Sequence, residues 1–332
     1  MPAPASTGAT ASTPELIHAR PVPRPGRWIS AAVVAVLAAM AANALITNER
    51  FRWDIVWLYL RDVTIIRGVG WTLLLTAGAM AIAVVLAVAL AIMRRSDNPV
   101  MRGVSWFYIW VFRGTPIYTQ LVFWGLLSVL YPRLSLGIPF GPEFWTFTTA
   151  DVITAFWAAL LGLALNEAAY LAEIVRAGLN SVDPGQSEAA RALGMKESTI
   201  LRRIILPQAM RVIVPPTGNE TISMLKTTSL VLAVPFTLDI TYATNAIGNR
   251  VFLPIPLLVV AALWYLAITS VLMVGQHYLE RYYGRGFDGA HGGGRGGGRG
   301  GGGRGRKARL SRHQAILAAG TTPDRPFLDV TP

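Results

Sequence analysis

The sequence predicts an all-α membrane protein with about six transmembrane helices, and two properties of its 332 residues carry that prediction. Hydrophobic residues make up 53% of the chain and charged residues only 14%, which is more apolar surface than a soluble fold of this length would cover. The apolar residues also lie in uncharged runs of roughly 20 residues or more, the length that a helix needs to cross a bilayer. The chain therefore belongs in a membrane.

Six segments of the chain are apolar enough to be predicted as transmembrane helices. They are residues 28–48, 68–93, 114–132, 152–176, 212–235 and 251–279. The fourth segment carries Glu167, and the fifth carries Glu220 and Lys226, so these two are less apolar than the others. The first, residues 28–48, is an extra N-terminal helix ahead of the remaining five.

The distribution of basic residues predicts how the six segments are oriented. Most of the 30 Lys and Arg residues fall in the segments that lie on one side of the membrane in this layout, which are residues 1–27, 94–104, 176–211 and 278–332. Short cytoplasmic loops retain positive charge during insertion. We therefore expect a multi-pass protein with both termini in the cytoplasm.

The two ends of the chain differ in composition from the rest. Residues 1–27 are rich in Pro, Ala and Thr, and residues 285–332 are rich in Gly and Arg, so neither stretch can bury enough apolar area to fold. Both are predicted to be disordered cytoplasmic tails. The C-terminal tail fits either an anchor that contacts anionic membrane lipid or an RNA-binding segment. Because no aromatic residue lies among the arginines from Arg295 to Arg312 for bases to stack on, lipid is favoured and nucleic-acid binding is not expected.

Several kinds of chemistry have no residues to support them. The chain has no Cys, and its four His are scattered without the spacing of metal ligands. No GxxxxGK[ST] phosphate loop occurs. We therefore expect no catalytic site, no metal and no cofactor in this chain.

The loop at residues 182–207, VDPGQSEAARALGMKESTILRRIILP, predicts two short helices between membrane segments. Helix-breaking residues occupy 183–185, Ser187 is a candidate N-cap, and Gly194 ends the first helix because glycine tolerates left-handed geometry. A second helix is predicted from Glu197 as far as Pro207. Small Ala side chains on the first helix would allow a partner's backbone to approach closely.

The spacing within this loop resembles the motif of binding-protein-dependent ABC importer permeases: EAA at 188–190, then Gly194, Ile204, Leu206 and Pro207. Four other stretches look like the polar amino-acid branch of that family. They are FRGTP (112–116), LNEAAYLAEIVRAG (165–178), LPQAMRVIVPP (206–216) and GNETISMLKTTSL (218–230). The resemblance covers about residues 66–284, which we take as the permease transmembrane domain.

The resemblance implies a function and a set of partners. In that family the loop is a coupling helix that sits in a cleft of the ATPase subunit, so the contacting residues here would be Glu188, Ala189, Ala190 and Gly194. The chain would be the permease subunit of an ATP-driven amino-acid importer in the bacterial plasma membrane. Its partners would be a pair of ABC ATPase subunits that bind ATP and Mg²⁺, a second permease subunit, identical or similar, and an extracytoplasmic solute-binding protein.

Polar residues inside the fourth and fifth segments are candidates for the substrate path, because ionisable groups at membrane depth are usually functional or paired. These residues are Asn166, Glu167, Tyr170, Asn219, Glu220 and Lys226. The related motif usually has a small residue where this chain has Glu167. That carboxylate either pairs with Lys226 or meets a cationic group of the substrate, which would favour basic amino acids.

Two further charged positions are predicted to be structural. Glu173 and Arg176 are three residues apart on one helix and are expected to form an ion pair. Arg113, ahead of a Gly and a Pro, is expected to cap the helix or to reach the inner interface. An alternative from another class, a secondary transporter or channel driven by an ion gradient, would share the apolar spans but gives no reason for the EAA loop.

Overall fold

The computed structural model of the chain describes residues 25–138 and 141–284. Within these ranges the chain is helical apart from one two-stranded sheet, turns and short connections. The helices are α1 (Pro25–Thr47), α2 (Trp53–Tyr59), α3 (Val63–Arg94), α4 (Pro99–Gly114), α5 (Ile117–Gly125), α6 (Leu127–Leu130), α7 (Thr149–Val152), α8 (Ala155–Asn180), α9 (Pro184–Ala192), α10 (Glu197–Ile200), α11 (Leu206–Thr227), α12 (Ile240–Arg250) and α13 (Pro254–Tyr283). The strands β1 (Arg133–Gly137) and β2 (Glu143–Thr148) pair antiparallel.

The helical membrane architecture predicted from the sequence is confirmed, although not helix for helix. In the part of the chain that the structure describes, four helices are long and apolar enough to cross a membrane: α1, α3, α8 and α13. They correspond to the first, second, fourth and sixth predicted segments. The third and fifth segments depart from the single apolar helix expected of each.

The third predicted segment, residues 114–132, is divided by a break. The chain is already helical from Pro99, and α4 ends at Gly114 before α5 begins at Ile117. Thr115 between them is extended, with φ −115° and ψ 145°. The residue before a proline is driven out of helical geometry by the proline ring, and Pro116 supplies that ring.

The fifth predicted segment is continuous with the loop helix before it. The sequence predicts that this loop helix ends at Pro207, and that prediction is wrong. Five residues in π-helical geometry, Leu201–Ile205, join α10 to α11, and Pro207 lies in the first turn of α11. The wider π turn leaves room for a proline ring that would clash in a regular helix. The helix then runs to Thr227.

The centre of the fold is the contact between α3 and α8. Small residues line it, including Ala79 and Ala83 of α3 and Ala164 and Ala168 of α8, all fully buried. Lipid tails are as apolar as side chains, so membrane helices associate through close packing, which small residues permit. By contrast, every described side chain of α1 is exposed. This helix is joined to the rest through the Trp53 indole, which donates a hydrogen bond to the Leu45 carbonyl.

The two predicted tails fall almost wholly outside the described residues. Of the N-terminal stretch 1–27, the structure describes residues 25–27, which form the first turn of α1. The extra N-terminal helix predicted at residues 28–48 is therefore present and begins slightly earlier. The prediction of a disordered tail at 285–332 lies outside the described residues.

Candidate functional site

The break between α4 and α5 exposes backbone carbonyls that lack helical partners, and a glutamine satisfies them. The Gln120 side chain, on α5, donates from Nε2 to the carbonyl oxygens of Phe112 at 3.0 Å and Thr115 at 3.2 Å. It also donates to the Thr115 hydroxyl at 2.7 Å. A buried backbone oxygen without a partner would cost free energy, so Gln120 stabilises the interruption.

Asn166 of α8 forms hydrogen bonds to the same break between α4 and α5. Its Nδ2 donates to the Phe112 carbonyl at 2.9 Å and to Oε1 of Gln120 at 3.1 Å. The side chain is only 8% exposed. Asn166 was predicted to be a substrate-path residue, and in the structure its amide is engaged in holding the helix break.

A cavity of about 430 Å³ opens beside this break, between α4, α5, α8 and α11. Its polar lining includes Arg113, Asn166, Glu167, Tyr170, Glu220 and Ser223. The volume lies within the range of sites that hold small molecules. The structure therefore brings four of the six predicted substrate-path residues, Asn166, Glu167, Tyr170 and Glu220, to one cavity.

Charges of both signs line the cavity. The Arg113 guanidinium lies over the Tyr170 ring, 5.1 Å from its centre, in cation–π contact. Two carboxyl groups, Glu167 and Glu220, line the same cavity. Glu167 is 6% exposed, and its Oε1 is buried without a hydrogen-bond partner. A buried carboxyl oxygen with no donor is a position that a cationic or N–H-bearing ligand would stabilise.

The ion pair between Glu167 and Lys226, one of the two alternatives drawn from the sequence, is not formed. Among the described residues the ion pairs are Arg52–Asp54, Arg176–Glu173 and Arg191–Glu197. Lys226 is exposed in the last turn of α11, and neither it nor the exposed Asn219 lines the cavity. The reason is helical geometry: Glu220, Ser223 and Thr227 share one face of α11, which turns Asn219 and Lys226 away.

The cavity also has lining residues that were not selected from the sequence as substrate-path residues, among them Ser223, Thr227 and Arg113. Ser223 and Thr227 follow Glu220 at helical spacing, and that periodicity was the available signal. Arg113 was interpreted as a cap or an interface residue, whereas it lines the cavity and contacts Tyr170. The predicted pair of Glu173 and Arg176 is confirmed, with the guanidinium donating to the carboxylate at 2.5 and 2.9 Å.

The loop between α8 and α11 presents the short helix α9. The N-cap of α9 is Asp183, whose carboxylate accepts a hydrogen bond from the Gly185 backbone at 2.8 Å, so the prediction of Ser187 as the cap is wrong. A proline at the first helical position fixes the start one residue after Asp183. Gly194 has φ +74°, which confirms that it stops the helix in left-handed geometry.

The four predicted coupling residues do not all face outward. Glu188, Ala189 and Gly194 are exposed, but Ala190 is 3% exposed and packs against its own chain. Leu193, at the end of α9, is an apolar residue that was not selected from the sequence, and it is 82% exposed. The outward surface of this loop therefore combines the small residues Ala189 and Gly194 with the charged Glu188, and Leu193 projects from it.

An ion pair ties α9 to α10 across the glycine turn. The Arg191 guanidinium donates to the Glu197 carboxylate at 2.5 and 3.3 Å. This hydrogen bond lowers the pKa of the Glu197 carboxyl. Both side chains are mostly exposed, so the pair connects the two short helices but adds little stability.

Comparison with known proteins decides the family. Residues 83–284 match the family described as the binding-protein-dependent transport system inner membrane component. The chain is 50% identical over 283 residues to the arginine transport system permease protein ArgU of Corynebacterium glutamicum, covering 84% of this chain and 87% of that protein.

The chain belongs to this family. It is a multi-pass membrane subunit of an ABC importer, and ATP hydrolysis lies in a separate subunit, so the permease is not itself an enzyme. The alternative of an ion-gradient-driven transporter receives no support from these relatives.

Two further relatives agree with this assignment. The permease is 37% identical over 221 residues to the octopine transport system permease protein OccM of Rhizobium meliloti, covering 66% of this chain and 85% of that protein. It is 34% identical, with a TM-score of 0.55, to a chain in the crystal structure of an amino acid ABC transporter with histidines. That match covers 66% of the permease and 94% of the solved chain.

Proposed function

We propose that this permease forms part of the path of an importer for cationic amino acids, with arginine as the leading candidate. The observation that carries the proposal is the cavity at the helix break, which holds one guanidinium and two carboxyl groups. The names of the relatives support it, since one is an arginine permease and another an octopine permease.

The charges of the cavity complement those of a basic amino acid. At neutral pH such a ligand carries one carboxylate, one α-ammonium and one cationic side chain. Arg113 offers a bidentate partner for the carboxylate, and Glu167 and Glu220 offer partners for the two cations. A neutral amino acid would leave one carboxyl without a partner, and an acidic one would add a further like charge.

Glu167 is the residue on which this specificity depends most. Its Oε1 is buried and has no partner within the described chain, and Lys226 does not approach it. Tyr170 is one helical turn away and offers a ring face as well as a hydroxyl. A ligand cation between these two side chains would occupy the donor position that Glu167 lacks.

For the coupling of transport to ATP, we place the contact on the outward face of α9 and its terminal turn. Glu188, Ala189 and Gly194 would meet the ATPase, with Leu193 as an apolar anchor, while Ala190 positions the helix from inside. Two ATPase subunits holding ATP and Mg²⁺, a second permease and an extracytoplasmic solute-binding protein would complete the transporter. Both termini would lie in the cytoplasm of a bacterial cell.

Uptake by the reconstituted transporter tests the substrate assignment. Labelled arginine, lysine and glutamine are offered to complexes carrying wild-type permease, Glu167→Gln or Glu167→Ser, together with the binding protein. A lost charge-assisted hydrogen bond costs about 1.5–3 kcal/mol, so uptake of arginine and lysine should fall by roughly tenfold or more. Uptake of glutamine should change far less.

A matched control separates charge from folding. Glu143→Gln removes a carboxylate from an exposed position of β2, far in sequence from the cavity, and should leave all three uptake rates unchanged. Unaltered arginine uptake by well-expressed Glu167→Gln would refute the proposed role. Equal loss for all three amino acids would show that Glu167 serves the path without selecting the substrate.

A further inference from the structure

The segment between α6 and α7 contains the β-hairpin formed by β1 and β2. In the register of β1 and β2, Leu134 lies opposite Phe147 and Leu136 lies opposite Trp145. The pairs that alternate with these are Arg133 with Thr148 and Ser135 with Thr146. Directly opposed residues of an antiparallel pair point to the same side of the sheet.

The register therefore separates the hairpin into two chemically different faces. Over the four regular pairs, one face consists of Leu134, Leu136, Trp145 and Phe147, and the other of Arg133, Ser135, Thr146 and Thr148. The irregularity after Leu136 leaves Phe144, which is 70% exposed, outside these pairs. The apolar face is partly buried at the base, at Leu134 and Phe147. Towards the tip it is open, with Leu136 61% exposed and Trp145 76% exposed.

Such a hairpin is not stable with its apolar face in water. Two strands alone are marginal, and they need a surface against the apolar side. Nor can the hairpin enter the hydrocarbon layer, because the outer edges of both strands carry backbone groups that would lose their hydrogen bonds there. The interfacial zone of a bilayer meets both requirements, since it offers acyl chains on one side and water and head groups on the other.

The surroundings of the hairpin continue the same surface. The chain enters β1 from α6 through Leu130 and Tyr131, which are 55% and 56% exposed. It leaves β2 towards α8 past Val152 and Trp157, 48% and 45% exposed. The Thr149 backbone amide donates to the Pro132 carbonyl at 3.0 Å and fixes the base of the hairpin beside these residues. Exposed apolar and aromatic side chains at the end of membrane spans are typical of the aromatic belt.

We propose that the hairpin β1–β2 lies flat on the bilayer surface, with its apolar face against the lipid acyl chains and its polar face towards water. Trp145 is the main anchor, because its ring is apolar while its N–H can bond to head groups. The hairpin would hold the ends of α6 and α8 at a fixed depth. This inference does not depend on which amino acid is carried.

The absence of cysteine from the sequence allows a clean labelling test. Trp145→Cys and Thr146→Cys place a nitrobenzoxadiazole fluorophore on opposite faces of one strand. The full complex, with cysteine-free partners, is assembled in nanodiscs of phosphatidylcholine and phosphatidylglycerol that contain doxyl-labelled phosphatidylcholine. An amphipathic surface element buries its apolar side about 5–10 Å deep, so quenching at position 145 should exceed that at 146 by about twofold or more.

A second pair of variants controls for the possibility that replacing Trp145 removes the membrane anchor. Leu136→Cys and Ser135→Cys repeat the comparison on β1 with Trp145 intact, and the label at 136 should be the quenched one. Equal quenching within both pairs, or none at all, overturns the proposal. If the label at position 145 is protected from aqueous iodide but is not quenched by the doxyl lipid, a protein covers this face and the proposal is overturned. The covering protein would then be either the solute-binding protein or a second permease.

Discussion

The Gln276 side chain of α13 donates a hydrogen bond from Nε2 to the backbone carbonyl of Pro215 in α11, at 2.8 Å. Pro215 and Pro216 lie inside α11 and remove two backbone donors from it. Gly218 provides the space for this contact, because a Cβ there would come within 1.7 Å of Oε1 of Gln276. The helix α11, which joins the loop carrying α9 and α10 to the cavity, is therefore braced by α13 at its internal prolines.

Gly218→Ala should destabilise the permease. The added methyl group must displace the end of the Gln276 side chain and break its bond to Pro215, and a lost hydrogen bond costs about 0.5–1.5 kcal/mol. Gly275→Ala is the control, since it lies next to Gln276 and a Cβ there meets nothing within 4 Å. Thermal unfolding in detergent should show a lower midpoint for the first variant alone. Equal midpoints would mean that the brace contributes nothing.

Gly68→Ala should lower the stability of the permease more than Gly70→Ala, which lies two residues further along α3. At Gly68 a Cβ would lie 2.8 Å from the Cα of Ile240, a backbone atom that cannot rotate away, so α12 must move. At Gly70 a Cβ meets nothing within 4 Å. We expect Gly68→Ala to lose roughly 1–3 kcal/mol, and Gly70→Ala to be neutral or slightly stabilising through helix propensity. Unfolding midpoints of the purified variants measure the difference; similar values would contradict the close approach of α3 and α12.

Asn166→Ala should loosen the helix break without removing a charge. It leaves the Gln120 Oε1 without its Asn166 donor and the Phe112 carbonyl with one donor fewer, at a cost of about 1–3 kcal/mol. Asn43→Ala, on the exposed helix α1, is a surface control that should change nothing. Differential scanning fluorimetry compares the two. A change no larger than that of the control would show that the bonds to Phe112 and Gln120 are dispensable.

Gly194→Asp and Glu188→Lys should leave the permease inserted but abolish solute-stimulated ATP hydrolysis in the assembled complex. Each changes the outward surface of the loop that carries α9, and neither changes a membrane span. Asp97→Lys reverses an exposed charge in the turn before α4 and should preserve stimulation. Phosphate release with and without loaded binding protein is the measurement. Normal stimulation in both loop variants would refute the coupling role.

A reporter fused after Glu280 should be cytoplasmic, and one inserted within residues 136–145 should be external. The expectation follows from the asymmetry of Lys and Arg along the sequence. Alkaline phosphatase and green fluorescent protein fusions report opposite sides of the membrane and can be compared at both positions. Reversal of either result would require a different arrangement of the spans.

Composition and local rules accounted for a definite part of this protein. Apolar runs of membrane length predicted the positions of α1, α3, α8 and α13. Helix-stop chemistry predicted the turn at Gly194, and i to i+3 spacing predicted the pair of Glu173 and Arg176. All of these depend on residues that are neighbours in sequence, so the chain alone contains the information.

The same rules failed where one local sequence pattern is compatible with more than one backbone structure. A proline was expected to end the loop helix at Pro207, yet a π turn carries the helix through it. Ser187 and Asp183 both suit an N-cap, and the position of Pro184 selects Asp183. Which residues of β1 and β2 share a face of the hairpin is known only from the register of the two strands.

Contacts between helices were decided by the tertiary structure alone. Helical periodicity places Glu167 on a face of α8, but only packing determines that this face meets Glu220 and the broken helix, and that Lys226 lies elsewhere. Packing likewise sets Arg113 over Tyr170 and turns Ala190 inward. The physical reason is that the sequence alone fixes the direction in which each side chain leaves its own helix. Which residue of another helix it then meets depends on how closely whole helices pack, and small residues such as those of α3 and α8 decide that distance.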